Sequence, residues 1–271
     1  MTIEEIRKLK EKADAGDAIA CINYSKAVFD RREEKTQFYY SRCWTAIRYL
    51  SKADEFGHFD EETRKKNVRN AARVMEMLIN RNYGENIKTS DMVNLLLLDF
   101  ELSGIDDGTA LKKSYAAMLG NYVRILDKVP TYAYCGDRVV RFCCAVVNSK
   151  TVDPWIKSDA FKIIARLDPD PAINEKYKTV DDFRGAEMIE FRTGKRVKMV
   201  GCDETGIAID KGEKGEIYYP CDVGSSTVVS RGHFVFPDVR MTARFVDLYE
   251  KYWYSEEASI ERYCYYAMHY D

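Results

Sequence analysis

The sequence predicts an α+β fold: a helical N-terminal part, then a small antiparallel β-barrel of the SH3-like kind or a curled sheet, then a C-terminal helix. Up to residue 168, apolar side chains recur at helical spacing between glycine-marked turns. From residue 187, short alternating runs separated by glycine turns indicate strands. Between them stands Asp168-Pro169-Asp170-Pro171, where each proline lacks an N–H and disfavours a helical residue before it.

The proline stop predicts the domain organisation, because no helix can continue through it. A chain of 271 residues is long enough for one or two domains. We therefore predict a helical repeat-like domain at 1–168, a small β domain at 172–240, and a helical segment at 241–271 that packs on one of them.

Composition is typical of a soluble globular protein. The chain is 46% hydrophobic and 32% charged, with a formal net charge of −2, so no general attraction to nucleic acid or anionic membranes is expected. The N-terminus lacks the basic and apolar segments of a signal peptide, and the apolar run Leu95–Leu98 is far short of the roughly 20 residues that span a bilayer. We expect a cytoplasmic protein without a membrane partner, whose eight cysteines are reduced thiols.

The predicted helices are delimited by capping residues and glycines. Thr2 and Glu5 form a capping box at the first helix, Gly16 ends that helix, and Asp17 caps the second. The run at 137–149 has no clear period, and we assign it as a helix because its neighbours are helical. The remaining helices are predicted at about 34–56, 60–83, 90–102, 109–128 and 153–167.

One segment of the helical part recurs. Lys12–Ala18 returns loosely as Lys52–His58, at a period of about 40 residues. The stretch Ala46–His58 resembles the end of one Sel-one-like repeat and the start of the next, a family of helix pairs related to tetratricopeptide repeats. The resemblance covers residues 10–80, and it departs from the family in the charged stretch that follows His58. It implies a helical repeat that binds other proteins as a scaffold rather than a catalyst.

The C-terminal part combines short strands with a helical tail. Strands are predicted at 187–191, 196–200, 205–209, 216–219 and 227–230, with a sixth at 233–236 left open. The tail carries aromatic and apolar side chains at helical spacing, which is typical of a core face, and a partner-binding face is the alternative. These residues are Phe245, Leu248, Tyr249, Tyr252 and Trp253.

Few residues support a catalytic or metal site. The phosphate-binding, dinucleotide-binding, zinc-protease and nucleophile-elbow motifs are absent from the sequence, and only three histidines occur. Cys202, Cys221 and His233 share the β segment and could converge as metal ligands or as a thiol with its base, but their spacing matches no zinc pattern. We predict no cofactor, no metal and no catalytic residue.

The favoured function is therefore protein–protein interaction, with Tyr40, Trp44 and His58 as candidate partner-binding residues on the helical part. An enzyme of unrecognised type is the third candidate, and the oligomeric state is open.

Nucleic-acid recognition is the second candidate, because basic residues cluster at the first predicted hairpin near Tyr218 and Tyr219. A second basic row, Lys65, Arg69 and Arg73, follows one face of the fourth helix. Acidic residues interleave both groups, so solvated surfaces are the simpler interpretation. The hairpin candidates are Arg192, Lys195, Arg196 and Lys198.

Overall fold

A computed structural model gives the fold of this chain. Among the described residues, none of the helices is long and apolar enough to cross a membrane. The structure describes residues 1–34, 36–81, 83, 86–105, 113–127, 135–149, 151–152, 154–190, 193–203, 206–210, 212, 215–220, 234–256 and 259–260.

Contacts divide the chain into two compact units, Met1–Ile105 and Asp106–Asp271. The α-helices of the first unit are α1 (Ile3–Asp14), α2 (Ala18–Asp30), α3 (Tyr39–Phe56), α4 (Glu61–Asn80) and α5 (Thr89–Leu102). Those of the second are α6 (Lys113–Asp127), α7 (Gly136–Asn148), α8 (Pro154–Leu167), α9 (Pro171–Lys176) and α10 (Val239–Trp253).

Local capping explains where the first helices begin. The predicted capping box is confirmed: Thr2 Oγ1 accepts from the Glu5 amide at 3.2 Å, and Glu5 accepts from the Thr2 amide at 2.7 Å. Asp17 caps α2 by accepting from the Ala20 amide at 2.9 Å. The ambiguous run at 137–149 is a helix, as predicted, and forms α7.

In the first unit each helix packs on the next one along the chain, from α1 to α5. Small residues allow this close packing, because Ala13, Ala20 and Ala53 lie in one buried cluster with Tyr24 and Tyr49. The two alanines of the recurring segment, Ala13 and Ala53, thus share one core.

The two recurring turns use their glycines differently. Gly16 has a φ of +95°, a conformation that residues with a Cβ rarely adopt. Gly57 is extended, with a φ of −100°. A Cβ on Gly57 would lie 3.0 Å from the Ala18 Cβ and 2.6 Å from the Phe59 ring. The first glycine therefore provides backbone freedom, and the second provides space.

The second unit is organised around α8, which contacts α6, α7 and α10. Lys162 on α8 binds Glu250 on α10 at 2.7 Å. Next to these helices lies an aromatic core: the rings of Phe183, Phe236 and Phe245 are separated by 5.1, 5.1 and 5.4 Å. The tail stripe supplies Phe245, Tyr249 and Trp253 to this unit, and all three are buried, so its interpretation as a core face is confirmed.

The proline stop ends a helix as predicted, because α8 ends at Leu167 and Asp170 caps α9 with Pro171 in its first turn. However, Asp168 lies inside the second contact unit, where its carboxylate binds Arg240 of α10 at 2.7 Å. The division into domains at 1–168, 172–240 and 241–271 concerns independent folding and stays a prediction.

The strands form one antiparallel sheet in the order β4-β3-β2-β1-β5, which confirms the α+β class. In the described part of the chain β4 and β5 are the sheet edges. The predicted strand at 227–230 lies outside the described residues. The strands are β1 (Glu187–Glu190), β2 (Arg196–Asp203), β3 (Gly206–Asp210), β4 (Glu216–Pro220) and β5 (Phe234–Val235).

A β-bulge interrupts β2. Met199 pairs with Ile209 and Gly201 pairs with Ala208, so Val200 has no partner on β3. An inserted residue shifts the alternation of side chains by one position. Cys202 consequently lies opposite the buried Ile207, on the same face of the sheet as Met199.

Candidate functional site

Tyr40 and Trp44, two of the predicted partner-binding residues, form a stacked pair at the start of α3. Their rings are nearly parallel, at 5°, with centroids 6.5 Å apart. The Tyr40 hydroxyl donates to the Asn86 carbonyl oxygen at 2.9 Å, and its ring lies 5.7 Å from that of Tyr83. All three rings are half-buried, so they are held in place while part of their surface faces solvent.

A buried layer supports this pair. The Tyr39 ring is fully buried, stacks on Tyr83 at 6.0 Å and lies 4.1 Å beneath the Arg81 guanidinium. Arg81 also binds both carboxylate oxygens of Glu33, at 2.9 and 3.3 Å. Burial, and then the neighbouring Cys43, raise the pKa of Tyr39, so its hydroxyl stays neutral.

Phe38 extends the exposed part of this region. Its side chain is 44% exposed, and the Arg42 guanidinium lies 5.8 Å from its ring centroid. We call Phe38, Tyr40, Trp44 and Tyr83 the aromatic surface. Tyrosine, tryptophan and arginine are the residue types enriched at interaction hot spots.

His58 lies away from the aromatic surface. It is exposed in the turn between α3 and α4, past the end of α3 at Phe56. Tyr40 is near the other end of α3, roughly 24 Å away at 1.5 Å per residue. The structure therefore brings Tyr40 and Trp44 together and leaves His58 at a separate place.

Asp14 connects α1 to α3. Its carboxylate accepts from Lys10 at 2.6 Å, Tyr49 at 2.6 Å and Lys52 at 3.3 Å. The Lys10 hydrogen bond, followed by that of Tyr49, lowers the pKa of Asp14 to about 2. Burial and the Asp14 carboxylate raise the pKa of Tyr49. This cluster links α1 to α3 and holds Asp14 as an anion.

A groove of about 660 Å³ runs beside α1 and α2. Half-buried Ile6 and Leu9 of α1 form its apolar floor, and Asn23, Lys26 and Asp30 of α2 form a polar edge. Periodicity along one helix does not predict this groove, because its lining alternates between two helices.

The basic hairpin is exposed but interleaved with acids. Arg196 binds Glu187 at 2.6 Å. Lys198 is in register with Glu187 on β1 and with Asp210 on β3. Lys195 is exposed in the turn, and the predicted Arg192 lies outside the described residues. Carboxylates next to these bases reduce the positive potential available to a phosphate.

The basic row on α4 is partly neutralised as well. Lys65 binds Glu61 at 2.7 Å, and Arg69 binds the buried Asp99 at 2.5 Å. Arg73 is exposed. Arg69 thus contributes mainly to the packing of α4 against α5.

The proposed thiol and metal candidates are only partly described. Cys202 is half-buried on β2, whereas Cys221 and His233 lie outside the described residues. Within the described ranges, no three His, Cys, Asp or Glu residues form a metal-binding group. The six described cysteines are free thiols, and burial raises the pKa of Cys143.

Lys157 on α8 is a buried amine that no sequence motif indicates. Its side chain is 4% exposed, and burial lowers its pKa to about 8. A lysine with such a pKa carries an appreciable neutral fraction at mildly alkaline pH. This affects the stability of the second unit, as predicted below.

Tyr83 of the aromatic surface and its neighbours Asn86 and Arg81 come from a different element than Tyr40 and Trp44. Tyr83 and Asn86 follow α4, and Arg81 caps its end. The only signal in the sequence was an aromatic residue at the end of the helix predicted at 60–83. No family model, no curated protein and no solved structure matches this chain.

Proposed function

We propose that Met1–Ile105 recognises another protein through the aromatic surface. The observation that carries this proposal is that two aromatic rings are held in place before any partner binds. Tyr40 is stacked on Trp44 and hydrogen-bonded to Asn86, while both rings stay partly exposed. Side chains that are ordered before binding lose little conformational entropy in a complex.

The helical scaffold supports the same proposal. Contacts between consecutive helices, as seen from α1 through to α5, are typical of helical repeats that present extended binding surfaces. We extend the Sel-one-like resemblance of residues 10–80 to this role as part of the proposal. His58 keeps its candidate role, on a surface separate from the aromatic one.

Affinity capture from native lysate tests the proposal, with and without nuclease. The bait is the full chain, compared with a Tyr40→Ala/Trp44→Ala variant. Phe56→Ala is the matched control, because Phe56 lies at the other end of α3 and is 46% exposed. We expect one stoichiometric protein that survives nuclease, is lost with the double variant and is kept by the control. Capture that is indifferent to the double variant contradicts the proposal.

Nucleic-acid binding by the β segment is the second candidate. The exposure of Lys195, Arg196 and Lys198 at one end of the sheet favours it. Changing these residues and Arg192 to alanine should then abolish binding to single-stranded RNA, and wild-type binding should fall steeply with salt. We rank it second because Glu187 and Asp210 flank two of the three exposed bases.

We also propose that the sheet is curled or SH3-like. The bulge at Val200 supports it, because bulges bend a strand and increase its twist. Amide–amide contacts between β4 and β5 in an NMR spectrum would demonstrate a closed barrel.

A further inference from the structure

The outer face of α2 carries two opposite charges, Lys26 and Asp30, that have no partner among the described residues. Lys26 and Asp30 are exposed and stand one helical turn apart. Among the described residues, neither forms a hydrogen bond or an ion pair. On α1 the same two residue types, at the same spacing and in the same order, do bind each other, at 2.6 Å between Lys10 and Asp14.

These charges lie at the edge of the groove between α1 and α2. Its floor, Ile6 and Leu9, is half-buried, and Met1 beside it is 71% exposed. Apolar area edged by exposed charges is the composition of a protein–protein interface, with an apolar centre and a polar rim. Exposed ion pairs add little affinity, but they set register and orientation.

We propose that a second copy of this chain occupies this surface, with the two α2 helices antiparallel about a two-fold axis. In a two-fold interface, residue i of one subunit faces residue j of the other, and j faces i. An axis that passes between Lys26 and Asp30 places Lys26 opposite the partner's Asp30, and Asp30 opposite the partner's Lys26. The face is thus complementary to itself, and each groove floor is covered by the other subunit's α2.

Self-complementarity is the reason to choose a copy over a different protein. The two free charges sum to zero and are arranged symmetrically about their midpoint, so two identical faces meet without like charges in contact. A different protein would need its own matching pattern. Because the floor is small and the ion pairs are exposed, we expect roughly micromolar association.

Sedimentation velocity of the full chain, over a roughly hundredfold range of concentration, tests the proposal. We expect a reversible monomer–dimer equilibrium. Lys26→Glu brings carboxylates together at both contacts, and Asp30→Lys brings ammonium groups together. Each variant alone should dimerise on the order of tenfold more weakly. Mixed in equal amounts, the two variants complement each other at both contacts and should form a heterodimer of near wild-type affinity.

Two controls separate this surface from others. Lys66→Glu makes the same charge change on an exposed position of α4 and should leave the dimer intact. Trp44→Ala should also leave it intact, so failure here is distinguishable from failure of the aromatic surface. A chain that is monomeric throughout, a dimer insensitive to both charge variants, or a mixture that does not reassociate would overturn the proposal.

Discussion

The two contact units bury their apolar surface by different routes. In Met1–Ile105 each helix packs on the next one along the chain. In Asp106–Asp271, α10 packs on α8, and Arg240 binds Asp168 across 72 positions of sequence. Contacts between neighbouring elements follow from local patterns, whereas contacts between distant elements depend on how the whole chain closes.

The side chains of the two cores differ accordingly. Ala13, Ala20 and Ala53 let the helices of the first unit approach closely. Phe183, Phe236 and Phe245 fill a larger space in the second. The first unit should therefore be sensitive to added atoms, and the second to removed atoms.

Phe245→Ala should have the largest effect. It removes a fully buried ring that contacts Phe183, Phe236 and Tyr249, and such a change costs about 3–5 kcal/mol of stability. Urea unfolding followed by circular dichroism measures the loss. Phe56→Ala makes the same change on a half-exposed side chain and should cost less than about 1 kcal/mol. Equal losses would contradict the buried role of Phe245.

Substitutions of the two turn glycines sharpen the contrast within the first unit. Gly57→Ala should cost about 1–3 kcal/mol through crowding against Ala18 and Phe59, and Gly57→Asn should cost at least as much. At Gly16 we expect the opposite order, with Asn tolerated better than Ala, because Asn adopts positive φ more readily.

Thermal unfolding of the four glycine variants measures these orders. Gly136→Ala is the control, because a Cβ there meets nothing within 4 Å and its φ is not positive. The same order of Ala and Asn at both turns would show that the two glycines act alike.

Because of the buried Lys157, the stability of the second unit should depend on pH. Its pKa of about 8 lies below that of an unfolded lysine, so between about pH 8 and 10 the folded state binds fewer protons. The free energy of unfolding should therefore rise with pH across that window. Lys157→Met removes this titration. The variant should have a free energy of unfolding about 1–2 kcal/mol above that of the wild type at pH 7, and this difference should shrink toward pH 10. Lys66→Met, at an exposed position, should show no such trend.

The smallest expected effect on stability is that of Asp14, in the first unit. Its pKa of about 2 lies below that of an unfolded aspartate, so its contribution is present above about pH 4 and is lost as the pH falls through about 2. Because its side chain is 39% exposed, Asp14→Asn should cost only a few tenths of a kcal/mol at neutral pH. About 1 M salt should reduce the difference, and a salt-independent loss would point to packing instead.

The candidate site was predictable where its residues are neighbours on one helix. Tyr40 and Trp44 are four positions apart, so helical periodicity alone places them together. Tyr83, Asn86 and Arg81 reach the same place from the end of α4, which depends on how α4 packs. His58, the third predicted partner-binding residue, lies past the other end of α3 from Tyr40 and Trp44.

The bulge at Val200 shows a similar limit in the sheet. Alternation predicts the faces of β2 up to residue 200, and the inserted residue then shifts Cys202 to the face of Met199. Where a bulge forms depends on the partner strand, which local sequence does not specify.

The sequence by itself determined the helices, the strands and the stop at Pro169, because caps, glycine turns and proline geometry act within a few residues. The tertiary structure decided which elements share a core. The helix stop at Asp168 does not coincide with the contact boundary at Ile105, because α10 returns to α8 and buries its aromatic stripe there. That return depends on the free energy of burying apolar surface over the whole unit, which no local pattern encodes.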